Sequence, residues 1–112
     1  MNVSVHFSPQ SRGAFEDRAL IEDIVERTVL AREAGVACIS LTEHHLGGFN
    51  TYSDPFMLGC YLAPHVGDMY VAILVVQVPL EHPLRVAERA NLLDLLMKGR
   101  CLVALGLSLI HI

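Results

Sequence analysis

The sequence predicts an α/β fold on a parallel sheet, and three observations carry that prediction. Val71 to Val76 is continuously apolar, the pattern of a strand buried on both faces rather than half solvated. Pro83 to Lys98 repeats apolar side chains at helical spacing and is punctuated at both ends. Strand-like and helix-like segments alternate in units of roughly 30 residues, which is how parallel sheets with helices outside are built.

Taken in order, Val3 to Phe7 alternates apolar and polar residues and reads as a first strand. Ser8 to Glu16 contains Pro9 and Gly13 and reads as a loop. Leu20 to Ala34 reads as a helix with Leu20, Ile24, Thr28 and Ala31 on one stripe, ended by Gly35. Asp23 and Arg27 stand one turn apart on its outer side. Ala37 to Leu41 is a short second strand, and Thr42 to Asp54 a long polar loop. Asp54 and Pro55 suit the cap and first position of a helix over Pro55 to Leu62.

Tyr70 to Val78 is the third strand. Pro83 then opens a helix in which Val86, Ala90, Leu93 and Met97 form the apolar stripe, while Arg85, Arg89 and Lys98 can face water. Asp94 and Lys98 are spaced to pair, Arg100 is placed for a strand-to-helix contact, and Gly99 is placed to end the helix in a left-handed turn. Cys101 to Leu105 is the fourth strand. Periodicity alone does not separate an open doubly wound sheet from a TIM barrel. The first βα turn lacks G-x-G-x-x-G, and no G-K-[ST] phosphate loop is present, which weighs against the nucleotide-binding sheet.

The chain has 112 residues, a net charge of -4 and 53% hydrophobic residues. That length fits one small domain, and the apolar content is high for the modest core so short a chain can cover. Mild acidity gives no reason to expect nucleic acid or an anionic membrane as partner. Cys38, Cys60 and Cys101 lack the spacing of a metal pair. Cys38 and Cys101 fall inside strands, where a thiol behaves as a small hydrophobe. The start lacks a basic region followed by an apolar core, and the longest apolar run is far shorter than a membrane span. A soluble, cytoplasmic protein is expected.

Glu43-His44-His45 stands where the second strand becomes a loop. Imidazole titrates near working pH, so it can hold or deliver a proton there, although a pair of solvent-facing loop histidines would read the same way. A metal site is the rival reading. Neighbouring strand residues point to opposite faces, which is awkward for chelation, and neither H-x-H nor H-E-x-x-H is present. His82 before Pro83 is as readily a helix cap as a third ligand. His6, His65 and His111 are assigned no role.

Two segments together resemble the bacterial luciferase-like flavin-dependent monooxygenases. One is Leu41-Thr42-Glu43-His44-His45. The other runs from Val78-Pro79-Leu80-Glu81-His82-Pro83 through Ala87-Glu88 and Asn91-Leu92-Leu93-Asp94 to Lys98-Gly99-Arg100. The resemblance implies a partial TIM (β/α)8 barrel, about the first four βα units, since a full barrel has eight strands and about 250 residues. Residues 1–106 would then be the amino-terminal half of the barrel, and 107–112 a tail that departs from the family pattern. It further implies that His44 assists proton transfer, that Glu43 and His45 support it beside the cofactor, and that Leu74 and Val75 match a bulge with a non-proline cis peptide supporting the flavin ring. The implied cofactor is reduced FMN, used with O2 on a small organic substrate, with a flavin reductase as possible partner and a homo-oligomer when full length. A truncated chain of this kind would be inactive alone. The alternatives are a deazaflavin-dependent dehydrogenase or reductase on the same scaffold, and a non-catalytic partner subunit.

Overall fold

The computed structural model describes residues 2–8, 10–45, 47 and 50–107. The elements run β1 (Ser4–Phe7), α1 (Ala14–Glu33), β2 (Cys38–Leu41), α2 (Pro55–Leu62), β3 (Tyr70–Gln77), a 3-10 turn (Val78–Leu80), α3 (Pro83–Leu96) and β4 (Cys101–Gly106). The strands form one sheet in the order β1-β2-β3-β4, and every neighbouring pair is parallel. This is the βα alternation that the sequence predicts.

Strand alternation divides the sheet into two unlike faces. Phe7, Ile39, Leu41, Val71 and Ile73 point to one side, where they share a core with Ile24 and Ala31 of α1, Phe56, Leu58 and Leu62 of α2, and Leu93 of α3. The residues between them form the other face. His6, Ser40, Ala72 and Leu102 line up there across all four strands by register. No helix lies over that face among the described residues. Tyr70, Leu74 and Leu102 consequently stay 43%, 43% and 51% exposed.

The helices follow their local signals, with instructive departures. Asp54 caps α2 as expected: its Oδ1 accepts from the Phe56 and Met57 backbone N–H groups at 3.0 and 3.1 Å. His82 caps α3, Nδ1 accepting from the Leu84 N–H at 3.2 Å. Helix α1 begins at Ala14, inside the segment read as a loop. Glu16 reaches back to accept the Arg12 N–H at 2.9 Å, so a first-turn carboxylate does the capping that Gly13 lacks a side chain to do.

At its other end α3 stops at Leu96, because Lys98 as well as Gly99 takes a left-handed conformation (φ 53° and 79°). The Gly99 N–H closes the turn on the Asp94 carbonyl at 2.9 Å. Lys98 has therefore left the helix and does not pair with Asp94. Arg100 likewise bonds the Gly67 carbonyl at 3.0 Å, in the loop before β3, rather than a helix.

Arg89 departs most from expectation. It does not face water; its guanidinium pairs with Asp54 at 2.8 Å and with Glu81, and lies 5.3 Å from the centre of the Phe56 ring. The opposite charges of two connecting segments converge there on one cation, which is a stronger arrangement than isolated surface pairs such as Asp23–Arg27 at 2.7 Å.

Two measurements probe this packing. Leu93 is wholly buried between α3 and the sheet, whereas Leu95 is 66% exposed. Leu93→Ala is expected to lower unfolding free energy by about 2–5 kcal/mol in a denaturant titration, and Leu95→Ala to leave it within about 0.5 kcal/mol. The second concerns the thiols. Burial first, then Asp94 and Cys60, pushes Cys101 up to about 11, above the ordinary thiol value of about 8.5. Stability from the neutral, half-buried thiol is therefore complete below about pH 8.5 and falls as pH rises towards 11. Alkylation of Cys101 at pH 8 is expected to be slow in the native chain and to speed up on unfolding.

Candidate functional site

Parallel strands deliver all their carboxyl ends to one rim, where TIM-barrel sites are built. Leu41 of β2 pairs with Ile73 of β3, so the chain leaving β2 runs beside the end of β3. The Glu43-His44-His45 triplet and the Leu74–Gln77 segment thus become neighbours through register alone.

Glu43 turns inward. Its side chain is 2% exposed and both oxygens are engaged: Oε1 lies 2.7 Å from His45 Nε2, and Oε2 accepts the Gln77 backbone N–H at 3.1 Å. The Gln77 side-chain amide donates in return to the Glu43 carbonyl at 2.6 Å. A buried carboxylate needs such partners to offset lost hydration, and here they fix the exits of β2 and β3 to each other. His45 is thereby held by its ring nitrogen. His44 is half-buried and makes no side-chain hydrogen bond to another described residue.

Beside this clamp, β3 breaks register. Leu74 pairs with Ala104 and Val76 with Leu105, which leaves Val75 as an extra residue in the ladder. The Leu74–Val75 peptide is cis, at the position where the family resemblance implies one. Both side chains are exposed, at 43% and 38%, although Val71, Ala72, Ile73, Val76 and Gln77 around them are buried. Opposite the bulge, a Cβ on Gly106 would come within 2.5 Å of Val75 Cγ2. Only glycine there leaves the valine where it is.

Sequence reasoning passed over four contributors. Gln77 had a visible signal, being the polar end of an otherwise apolar strand. Tyr52 had none locally: its hydroxyl donates to the Phe7 carbonyl at 3.1 Å and accepts the Thr42 N–H at 3.3 Å, drawing the long loop over the ends of β1 and β2. Burial pushes that phenol up from its ordinary value, which keeps it a donor. His6 and Ser40 meet at 2.8 Å on the open face, one layer below the rim. A recess of about 510 Å³ lies elsewhere, between α1 and α2, lined by Ile21, Tyr52, Met57, Leu58 and Tyr61. Its one carboxylate, Asp54, is already committed to capping and to Arg89.

Comparison with known proteins gives the same picture. An alkanal monooxygenase alpha chain of Photorhabdus laumondii is 29% identical over 86 residues, covering 77% of this chain and 24% of that protein. Limonene 1,2-monooxygenase of Rhodococcus erythropolis is 36% identical over 72 residues, covering 64% and 19%. The chain thus spans about a quarter or less of these relatives' length. Among solved structures, the oxygenating constituent of 3,6-diketocamphane monooxygenase from Pseudomonas putida, in complex with FMN, superposes with TM-score 0.88 at 20% identity. That match covers 96% of this chain and 30% of the other. Monooxygenase RslO1 of Streptomyces bottropensis gives TM-score 0.87 at 23% identity, covering 95% and 33%. These structures show the fold, the first part of a TIM barrel. The luciferase-like monooxygenase family model matches residues 1–110, and with it the chain belongs to the luciferase-like monooxygenases.

Proposed function

We propose that this chain supplies the flavin-facing first four βα units of a monooxygenase that oxidises a small organic substrate with O2 and reduced FMN. The observation that carries the reading is the composition of the rim. An exposed apolar bulge at Leu74–Val75 adjoins a histidine pair, one member of which is fixed by a buried carboxylate. A flat heterocycle needs an apolar bearing surface with few polar groups at its edge, and the rim offers both. Chemistry at this rim would be supplied by reduced FMN when bound, namely the two-electron reduction that lets O2 oxidise the substrate.

The protein's own residues then have separable tasks. Leu74 and Val75 bear on the ring and exclude water from one side. His44 holds or moves a proton at an imidazole nitrogen. Glu43 positions His45 and keeps the β2 exit against β3. A phosphate anchor from the loops after the seventh and eighth strands is usual in TIM barrels and would come from outside these four units. We therefore read turnover, substrate choice, any flavin reductase and any homo-oligomer of the whole protein as depending on more than this chain.

Three substitutions in the longest protein that carries this chain test the assignment. His44→Ala is expected to lower turnover by about 10²-fold or more while changing flavin affinity little, and His65→Ala to be nearly silent. Equal losses at both would show a folding effect instead. Glu43→Gln is expected to reduce stability by about 1–3 kcal/mol, because the exchange disturbs a buried network, and to lower turnover less than His44→Ala does. Oxygen consumption coupled to substrate oxidation supports the FMN reading; hydride transfer to a deazaflavin without oxygen uptake overturns it.

A further inference from the structure

We propose that Gln77 is a positioning residue for His44: its side-chain amide holds the peptide group from which His44 departs, and so sets where the imidazole aims. The role rests on His44 being the residue that handles the proton. Gln77 Nε2 donates to the Glu43 carbonyl at 2.6 Å. That carbonyl belongs to the Glu43–His44 peptide, which is planar, so its direction and that of the His44 N–Cα bond are one variable. Anchoring the oxygen leaves only rotations within His44 itself to place the ring.

Three further observations make Gln77 the anchor. The β2–β3 ladder ends at the Leu41–Ile73 pair, before Glu43 is reached. The carbonyl of buried Glu43 thus lies beyond the ladder, and a buried carbonyl needs a donor from elsewhere. Gln77 is itself held: it pairs with Gly106 of β4, leads directly into the Val78–Leu80 turn and is buried. The two Gln77 bonds also divide the work. Its backbone N–H, 3.1 Å from Glu43 Oε2, ties the two strand exits together and holds the carboxylate that meets His45 at 2.7 Å. Its side chain acts instead on the peptide that leads to His44. An amide is costly to bury at the end of an apolar strand, and orienting that peptide is what this one does. Gln77 and Glu43 stand at the ends of neighbouring strands and both are buried, so the contact is complete within these four βα units.

The test is a double-substitution cycle in the longest protein that carries this chain, read beside the NMR ring signals of isotope-labelled histidines. Gln77→Met keeps the side-chain length and the backbone N–H, and removes the one donor. Alone it is expected to lower kcat by about tenfold or more, with KM for the substrate little changed. On top of His44→Ala it is expected to lower turnover no further. In the protein without flavin it should shift or split the His44 ring signals and change those of His45 and His65 little. His44 signals that do not respond would overturn the proposal. Where His44→Ala costs turnover, an equal loss from Gln77→Met with and without His44 would show a role in folding alone and overturn it, as would an unchanged kcat. Where His44→Ala is silent, the proton-transfer reading fails instead, and the ring signals, which need neither flavin nor turnover, still decide whether Gln77 aims His44. Should Gln77→Met fail to fold, the parent protein decides: a Gln77 side-chain amide exchanging with solvent as fast as an exposed one overturns the proposal, and a protected one supports it.

Discussion

The buried carboxylate of Glu43 is the constraint on which the candidate site depends. An ionised carboxylate taken out of water is tolerated only where its oxygens find donors. Here the donors come from two different places, the His45 ring and the Gln77 backbone. Satisfying both carboxyl oxygens therefore fixes distances that nothing else in the sequence would fix. The exit of β2 is tied to the exit of β3, the orientation of His45 follows, and the bulge at Leu74–Val75 is held beside both. Removing one partner would leave the others buried and unsatisfied, which is why such a network behaves as a unit.

Much of this architecture was legible because its signals are local. Asp54-Pro55 and His82-Pro83 are start signals with a mechanism contained in three residues, and both act as caps. The continuous apolarity of β3 foretold a parallel strand, but not that one face would lack a helix among the described residues and leave Tyr70 and Leu74 exposed. Where local signals conflict, the reading failed. Pro9 and Gly13 announce a loop, but Glu16 supplies the Arg12 N–H with an acceptor and α1 begins six residues ahead of Leu20. Arg89 looks like any solvated helix cation until Asp54 and Glu81 are brought to it across 35 and 8 residues of chain.

The site was legible in a different sense. Glu43, His44, His45, Leu74 and Val75 were singled out through family resemblance and not through periodicity. Charge and hydropathy alone leave two loop histidines and an ordinary buried strand. What the coordinates add is division of labour within the triplet. Glu43 faces the interior and positions; His45 is held; His44 bonds none of the other described side chains. Adjacent residues leaving a strand diverge in direction, so three consecutive polar side chains acquire three environments without any further device.

The same reasoning explains why the bulge sits opposite a glycine. An extra residue in β3 pushes Val75 towards β4, and any side chain at position 106 would occupy the volume the valine needs. The apolar surface at the rim is thus a joint property of two strands: β3 supplies the side chains and β4 supplies the space. Polar clamp and apolar surface lie side by side because one register, Leu41 against Ile73, sets where both begin. A slip of one residue in that register would exchange the faces of β3. It would send Leu74 into the helical core and separate Gln77 from Glu43, so fold and site fail together or not at all.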